Sequence, residues 1–282
     1  MQAYQTTPTE WVSVNGAKVA YRRIGTPGDV PLLFLTHFRG SMDILDPLLI
    51  NSIAQTREVI LFDNTGVGHS EGTVPHSIPT MALTTVDFLA TVGVAKADIV
   101  GFSLGGMIAQ YIGMEYPHVV NKLILAGTQS GYGEGVTSAP REVMEVAGAP
   151  GQPSEEDMMT LFYMPTDTSR ALGHQWFERI KERQVSGEER KGFLEGPGVT
   201  AQQIAIGKFA SDPEMFTRLA TIKAPVLVTN GNNDIMTPTT NSYVLQQNLP
   251  NAELHIYPDA GHGHLFQVPE TYAKQLELFL GH

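Results

Sequence analysis

The stretch DIVGFSLGGMIAQ, Asp98 to Gln110, decides how this chain is read. A short apolar run, ADIVGF, meets a single serine, Ser103, which sits between Gly101 and Gly105 with Gly106 following. Beyond it Met107, Ile108, Tyr111 and Ile112 recur at helical spacing until Pro117. A strand pattern therefore gives way to a helix pattern at one residue. Gly-x-Ser-x-Gly in that context holds a serine on a sharp strand-to-helix turn, with small neighbours two residues away on each side. The hydroxyl then projects at a helix start, where backbone N–H groups favour a developing anion. The competing reading is a glycine-rich turn that merely packs.

Working outward, WVSV and KVAYRRI flank the turn signal Asn15-Gly16-Ala17 and predict a hairpin. PLLFLTH (31–37), EVILFD (58–63), NKLILAGT (121–128), PVLVTNG (225–231) and AELHIYP (252–258) are further short apolar runs. Helical patterns alternate with them at 80–94, 104–116, 239–248 and 269–280. Strands alternating with helices predict βαβ units and a mainly parallel sheet. Apolar strands without alternation predict a sheet covered by helices on both faces. Between about Ser130 and Glu214 the alternation stops. That segment is helical in flavour, holds Met144, Met158, Met159 and Met164, and has a helix start at Ser154-Glu-Glu-Asp157. One α/β domain, residues 1–129 and 215–282, interrupted by an all-helical insertion at 130–214, is the expected organisation.

Composition narrows the function. The 282 residues are 42% apolar and 17% charged, which fits a globular protein able to bury a large core without staples. There is no cysteine, which removes disulfides, thiolate metal sites and cysteine nucleophiles. Lys and Arg number 18 against 29 Asp and Glu, a net charge of −11, with no basic stripe, so nucleic acid is not an expected partner. The start MQAYQTTPTEW has no signal-peptide pattern, and no apolar run is long enough to span a bilayer. A cytoplasmic protein without a membrane partner is the expectation.

A serine hydroxyl needs a base. His262, in YPDAGHGHLFQVPE, lies just after the last strand pattern, directly behind Ala260-Gly261. His264 is its rival two residues on; His-x-His also suggests a metal, but no third ligand stands at a recognisable spacing. The base needs an acid to fix its tautomer. Asp234, in VLVTNGNNDIMTP, ends a strand pattern and is favoured over Asp259, a loop acid three residues before His262. Acyl chemistry also needs N–H donors for an oxyanion. Leu104, next to the serine, supplies one, and the loop HFRGSMD after PLLFLTH is expected to supply the second.

THFRGSMD, LFDNTGVGHS, VGFSLGG, NGNNDIMTP and DAGHGHLFQVPE, in that order, resemble the α/β-hydrolase fold family in its branch of capped, cofactor-free enzymes. That branch includes carboxylesterases, 3-oxoadipate enol-lactonases, C–C bond hydrolases and the so-called non-haem chloroperoxidases. The resemblance covers nearly the whole chain outside the insertion. It implies a Ser103–Asp234–His262 triad, no cofactor, no metal, and a helical cap at 130–214. By the same resemblance the second oxyanion N–H falls on Arg39, with Phe38 as the alternative. Two departures stand out: His37-Phe38 replaces the frequent His-Gly, and Phe102 replaces the frequent His before the nucleophile. The Arg39 side chain is either a solvated loop arginine or a ligand for a substrate carboxylate or carbonyl. The turn DNTGVGHSEG, with His69 and Ser70, and likewise His37, are expected to organise loops rather than to react.

The expected activity is hydrolysis of an ester or lactone of a small, moderately apolar substrate. Cleavage of a C–C bond in a β-diketone-like or vinylogous substrate by the same triad is the alternative, and a ligand receptor on this fold is a third. Phe162, Tyr163, Trp176, Met236 and His264 are the candidates for lining the substrate pocket; the three aromatics could equally form the insertion's own core.

Overall fold

The turn Asn15-Gly16 has φ of 51° and 83°, the left-handed pair that a two-residue hairpin loop requires. It joins β1 (Glu10–Val14) to β2 (Ala17–Ile24) with Val14 paired to Ala17. This is the antiparallel margin of an eight-stranded sheet. The computed structural model describes residues 3–281. The remaining strands are β3 (Leu32–Leu35), β4 (Val59–Phe62), β5 (Ala97–Phe102), β6 (Val120–Ala126), β7 (Val226–Gly231) and β8 (Ala252–Tyr257).

The spatial order is β1-β2-β4-β3-β5-β6-β7-β8. β2 runs antiparallel to β4, and every pairing from β4 to β8 is parallel. β3, β4, β5 and β7 are buried at every position, as their unbroken apolar runs predict for strands covered on both faces.

The covering helices outside the long insertion are α1 (Pro47–Ile53), α2 (Ile78–Thr91), α3 (Leu104–Glu115), α9 (Thr240–Asn248), α10 (His264–Gln267) and α11 (Pro269–Leu280). α1 packs on α11, and α2 on α3. α1 has no counterpart among the helical patterns read above, although its start was signalled: Asp46 caps the Leu48 N–H and Pro47 stands at the first helical position.

From β6 to β7 the chain makes no strand among the described residues, only an isolated bridge between Val185 and Glu188. It forms α4 (Arg141–Ala147), α5 (Glu155–Phe162), α6 (Asp167–Arg179), α7 (Pro197–Ala210) and α8 (Pro213–Thr217). α5 opens with a full capping box, Ser154 and Asp157 each bonding the other's backbone N–H. Residues 180–196 form no helix. This stretch is tied to the core through Arg183, whose guanidinium meets Asp43 (3.1 Å) and the carbonyls of Tyr4 and Thr7. α7 packs on α2 and α3, and α6 on α10. No helix among the described residues is long and apolar enough to cross a membrane.

The sheet order fixes where a site can form. After β3 the chain moves outward to β4, then returns to place β5 on the other side of β3. That reversal opens a crevice at the carboxyl ends of β3 and β5. The loop at 36–46 and Ser103 both emerge there.

Candidate active site

Ser103 follows β5 directly and has φ 56° and ψ −114°, a backbone state that non-glycine residues rarely take. Its surroundings hold it there. Its N–H donates to the Ala126 carbonyl (2.9 Å), and its carbonyl accepts from Gly106 N–H (2.9 Å) and the Thr128 hydroxyl (2.8 Å). The glycines are spacing requirements: a Cβ on Gly101 would lie 2.4 Å from the Gly105 carbonyl oxygen, and one on Gly105 would lie 2.2 Å from that of Leu35. The turn is a clamped elbow, pressed between β5, β6 and β3.

Asp234 follows β7 and His262 follows β8. His262 Nδ1 lies 2.7 Å from Asp234 Oδ2, and both side chains are buried. Asp234 Oδ1 accepts the N–H groups of Met236 (2.7 Å) and Thr237 (2.9 Å); Oδ2 also accepts the Thr237 hydroxyl (2.7 Å). Burial pushes the Asp234 carboxyl up. The charge and hydrogen bond of His262, with the two Thr237 donors, outweigh it and leave the carboxyl below its ordinary value. An ionised carboxylate only accepts, so His262 carries its proton on Nδ1. Nε2 is then left with a lone pair; it is buried and has no hydrogen-bond partner, Ser103 Oγ included, in this conformation.

Ser103 borders a cavity with an open volume of about 670 Å³. Phe38, Leu104 and Met107 line it from the core, Met144 and Ile206 from α4 and α7, and Met236 and Thr237 from the loop that carries Asp234. Among the described residues no charged side chain lines it. Among the described residues no group of three or more His, Asp or Glu is placed to hold a metal ion.

The other residues singled out from sequence fall as follows. Met236 borders the cavity. Phe162, Tyr163 and Trp176 do not. Phe162 stacks on Trp176 (centroids 5.6 Å apart), Trp176 stacks on Phe266 (5.6 Å), and Phe162 meets the His262 ring edge-on (5.2 Å). These aromatics form a core that backs the histidine instead of roofing the substrate space. His264 is also outside the cavity: Nδ1 lies 3.1 Å from the His262 carbonyl and Nε2 lies 3.0 Å from the Thr229 hydroxyl. A carbonyl only accepts, so Nδ1 holds the proton and Nε2 accepts from Thr229, to which the Tyr272 hydroxyl donates in turn (3.0 Å). Burial first of all pulls His264 down to about 3, so the ring is neutral and fixes the backbone of His262. Asp259 faces away, accepting the hydroxyls of Thr166 (2.7 Å) and Thr168.

His37 is buried with neither ring nitrogen hydrogen-bonded, among Phe102 (5.2 Å) and Phe162 (5.4 Å). Burial, and after it the neighbouring His262, pull it down to about 3. Its carbonyl accepts the Gly40 N–H (2.8 Å), turning the loop through Phe38 and Arg39. In the turn after β4, His69 Nε2 lies 2.7 Å from Asp43, and the Ser70 hydroxyl donates to the Asp63 carbonyl. Both hold loops together.

Arg39 is not solvated, and it does not line the Ser103 cavity. It is 3% exposed, with φ 63°. Its N–H donates to Gln202 Oε1 of α7 (2.8 Å), and its guanidinium donates to backbone carbonyls of Leu194, Ala147, Ala149 and Gly151. Of the two loop donors expected for an oxyanion, Phe38 is the one whose N–H carries no hydrogen bond among the described residues, and Phe38 borders the Ser103 cavity. Neither Gln202 nor the wall residues Met144 and Ile206 belong to a motif; only the fold brings them here.

Residues 30–267 match the family model for the alpha/beta hydrolase fold. A solved structure described as an alpha/beta hydrolase fold protein from Chitinophaga pinensis is 34% identical, covers 99% of both chains and superposes with a TM-score of 0.87. Among curated relatives, a poly(3-hydroxyalkanoate) depolymerase of Ectopseudomonas oleovorans is 28% identical over 89% of this chain and 83% of its own. A pimeloyl-[acyl-carrier protein] methyl ester esterase of Nitrosomonas europaea is 27% identical over 89% and 96%. Relatives named as hydrolases of 2-hydroxymuconate semialdehyde and of oxononadienedioates match 79–80% of the chain. With the strand order, the serine elbow and the family match in agreement, this chain belongs to the alpha/beta hydrolase fold family.

Proposed function

We propose that the chain is a serine hydrolase that cleaves esters or lactones of neutral, largely apolar acyl groups. The observation that carries this reading is the cavity at Ser103: an uncharged, largely apolar space lined by the serine and by Thr237, whose N–H and hydroxyl bind the Asp234 carboxylate that pairs with His262.

In the proposed reaction His262 Nε2 takes the Ser103 proton as Oγ attacks the carbonyl carbon. The oxyanion is held by the N–H groups of Leu104 and Phe38. Asp234 steadies the imidazolium. His262 then gives the proton to the departing alcohol, takes one from a water whose oxygen attacks the acyl carbonyl, and returns it to Ser103 Oγ as the acyl–Oγ bond breaks and the acid leaves. Residues 130–214 act as a cap: α4 and α7 supply the outer wall of the cavity. The elbow and the Asp234-fixed tautomer favour catalysis over a receptor role, because each costs strain or buries charge that ligand binding does not require.

The absence of a cation from the cavity wall weighs against substrates that must bury a carboxylate there, since an unpaired buried anion is strongly disfavoured. It therefore weighs against a dioate of the kind named for one of the relatives. A neutral β-diketone remains the rival to an ester. The test is a matched panel: p-nitrophenyl esters of plain and carboxylate-ended acids, lactones and β-diketones, each with wild type and Ser103→Ala. Turnover of the plain esters, lost by on the order of 10⁶-fold in the variant, is expected. Preference for the carboxylate-ended esters, or for diketones alone, would overturn the assignment.

A further inference from the structure

We propose that Arg39 is a positioning residue that locks the oxyanion loop to the cap, so that the cavity wall and the Phe38 N–H are set together. The inference rests on the reading of Ser103 as nucleophile.

Every polar group of Arg39 is bonded to the segment between β6 and β7. Its N–H goes to Gln202 on α7, its carbonyl accepts the Leu194 N–H (2.8 Å), and Nε returns to the Leu194 carbonyl (2.9 Å). Nη1 reaches the carbonyls of Ala147 (3.3 Å) and Ala149 (3.0 Å), and Nη2 that of Gly151. Ala147 ends α4, so the guanidinium satisfies a helix C-terminal carbonyl, where a cation is favoured. The rigid planar fork meets four carbonyls at once, which a lysine ammonium on a flexible stem cannot do.

The backbone points the same way. Arg39 has φ 63°, a conformation natural to glycine and strained for a long side chain. A strained arginine in a tight turn implies that its side chain is needed there. The segments it grips carry the cavity wall: Met144 on α4, and Ile206 and Ala210 on α7. On its other side is Phe38, which lines the same cavity as Ser103 and whose N–H carries no hydrogen bond among the described residues. Letting Arg39 drift therefore moves the pocket wall and the oxyanion donor together, and a displacement near 1 Å at such a donor costs on the order of 10²-fold in rate.

Arg39→Gly tests this, because glycine relaxes the turn while removing the fork; Arg39→Lys keeps the charge and guards against misfolding of the first. Hydrogen exchange at residues 141–151 should quicken in both. With the best ester, kcat should fall on the order of 10²-fold and KM should rise as the wall moves, and affinity for a boronic acid that mimics the tetrahedral intermediate should fall by at least as much as kcat. Guanidinium ion at low concentration should restore part of the Arg39→Gly rate, and sodium should not. Unchanged exchange would overturn the lock. Quickened exchange with unchanged kcat and boronic acid affinity would overturn the coupling. The exchange arm needs no turnover, so a wild type that hydrolyses no ester would refute the proposed function and leave the lock to be judged separately.

Discussion

Replacing Asp234 by Asn probes the site where its geometry is most constrained. Oδ1 of Asp234 accepts two backbone N–H groups, from Met236 and Thr237. An asparagine must keep its carbonyl oxygen there, because an NH₂ would face two donors. The NH₂ then replaces Oδ2, the atom 2.7 Å from His262 Nδ1. Two donors cannot face each other, so the imidazole must present a lone pair at Nδ1 and carry its proton on Nε2. In that tautomer Nε2 cannot take the proton of Ser103. The corresponding change in serine proteases costs about 10⁴ in kcat, for the same reason. That is about 5 kcal/mol of barrier at 1.36 kcal/mol per decade. The fold should tolerate the change: the Thr237 hydroxyl, which now donates to Oδ2, turns to accept from the NH₂. Steady-state kinetics on the best ester, with a thermal melt of the same sample, reads both quantities. A loss under tenfold with an unchanged melting temperature would refute the tautomer argument and the assignment of Asp234.

Gly105→Ala would press a Cβ to 2.2 Å from the Leu35 carbonyl oxygen; because that neighbour is backbone, β3 or α3 must shift, at a cost of at least about 3 kcal/mol measured by urea unfolding. His264→Leu leaves the His262 carbonyl without its partner and the Thr229 hydroxyl with only its bond to Tyr272, and should lower stability by about 1–3 kcal/mol in the same assay. His37 is pulled down to about 3 from an ordinary 6.5, so between those values the unfolded chain binds a proton that the folded one does not. Its contribution is therefore intact above pH 6.5 and is lost as pH falls toward 3. Asp63, pushed up to about 6 chiefly by burial, runs the opposite way between 3.8 and 6, so wild type alone blurs the effect. The difference between wild type and His37→Phe isolates it: the variant should gain on wild type by up to about 1.4 kcal/mol per pH unit below 6.5, and parallel curves would count against a neutral buried His37.

Much of this molecule was legible in its residues. The strands announced themselves because a doubly covered parallel strand is an unbroken apolar run, and the Asn15-Gly16 turn because few residues accept its backbone angles. Ser103 was legible through the glycines that its neighbours' backbone demands. Arg39 was not: its partners are main-chain carbonyls and Gln202, more than 100 positions away, and a carbonyl leaves no mark in a sequence. The aromatics of the insertion were ambiguous for a related reason. Burial is written in residue type, but whether Phe162 and Trp176 face a cavity or a histidine depends on how α5, α6 and α10 pack. Asp46-Pro47 did carry a helix-start signal, on a helix too short to show a period.

The most direct test of the central claim is to trap the intermediate. Mixing the enzyme with a p-nitrophenyl ester should release a burst of one nitrophenol per active site, and acid quenching should leave one acyl group on the peptide bearing Ser103. Ser103→Ala should give neither. An acyl group on another residue, or full turnover by the variant, would contradict the account.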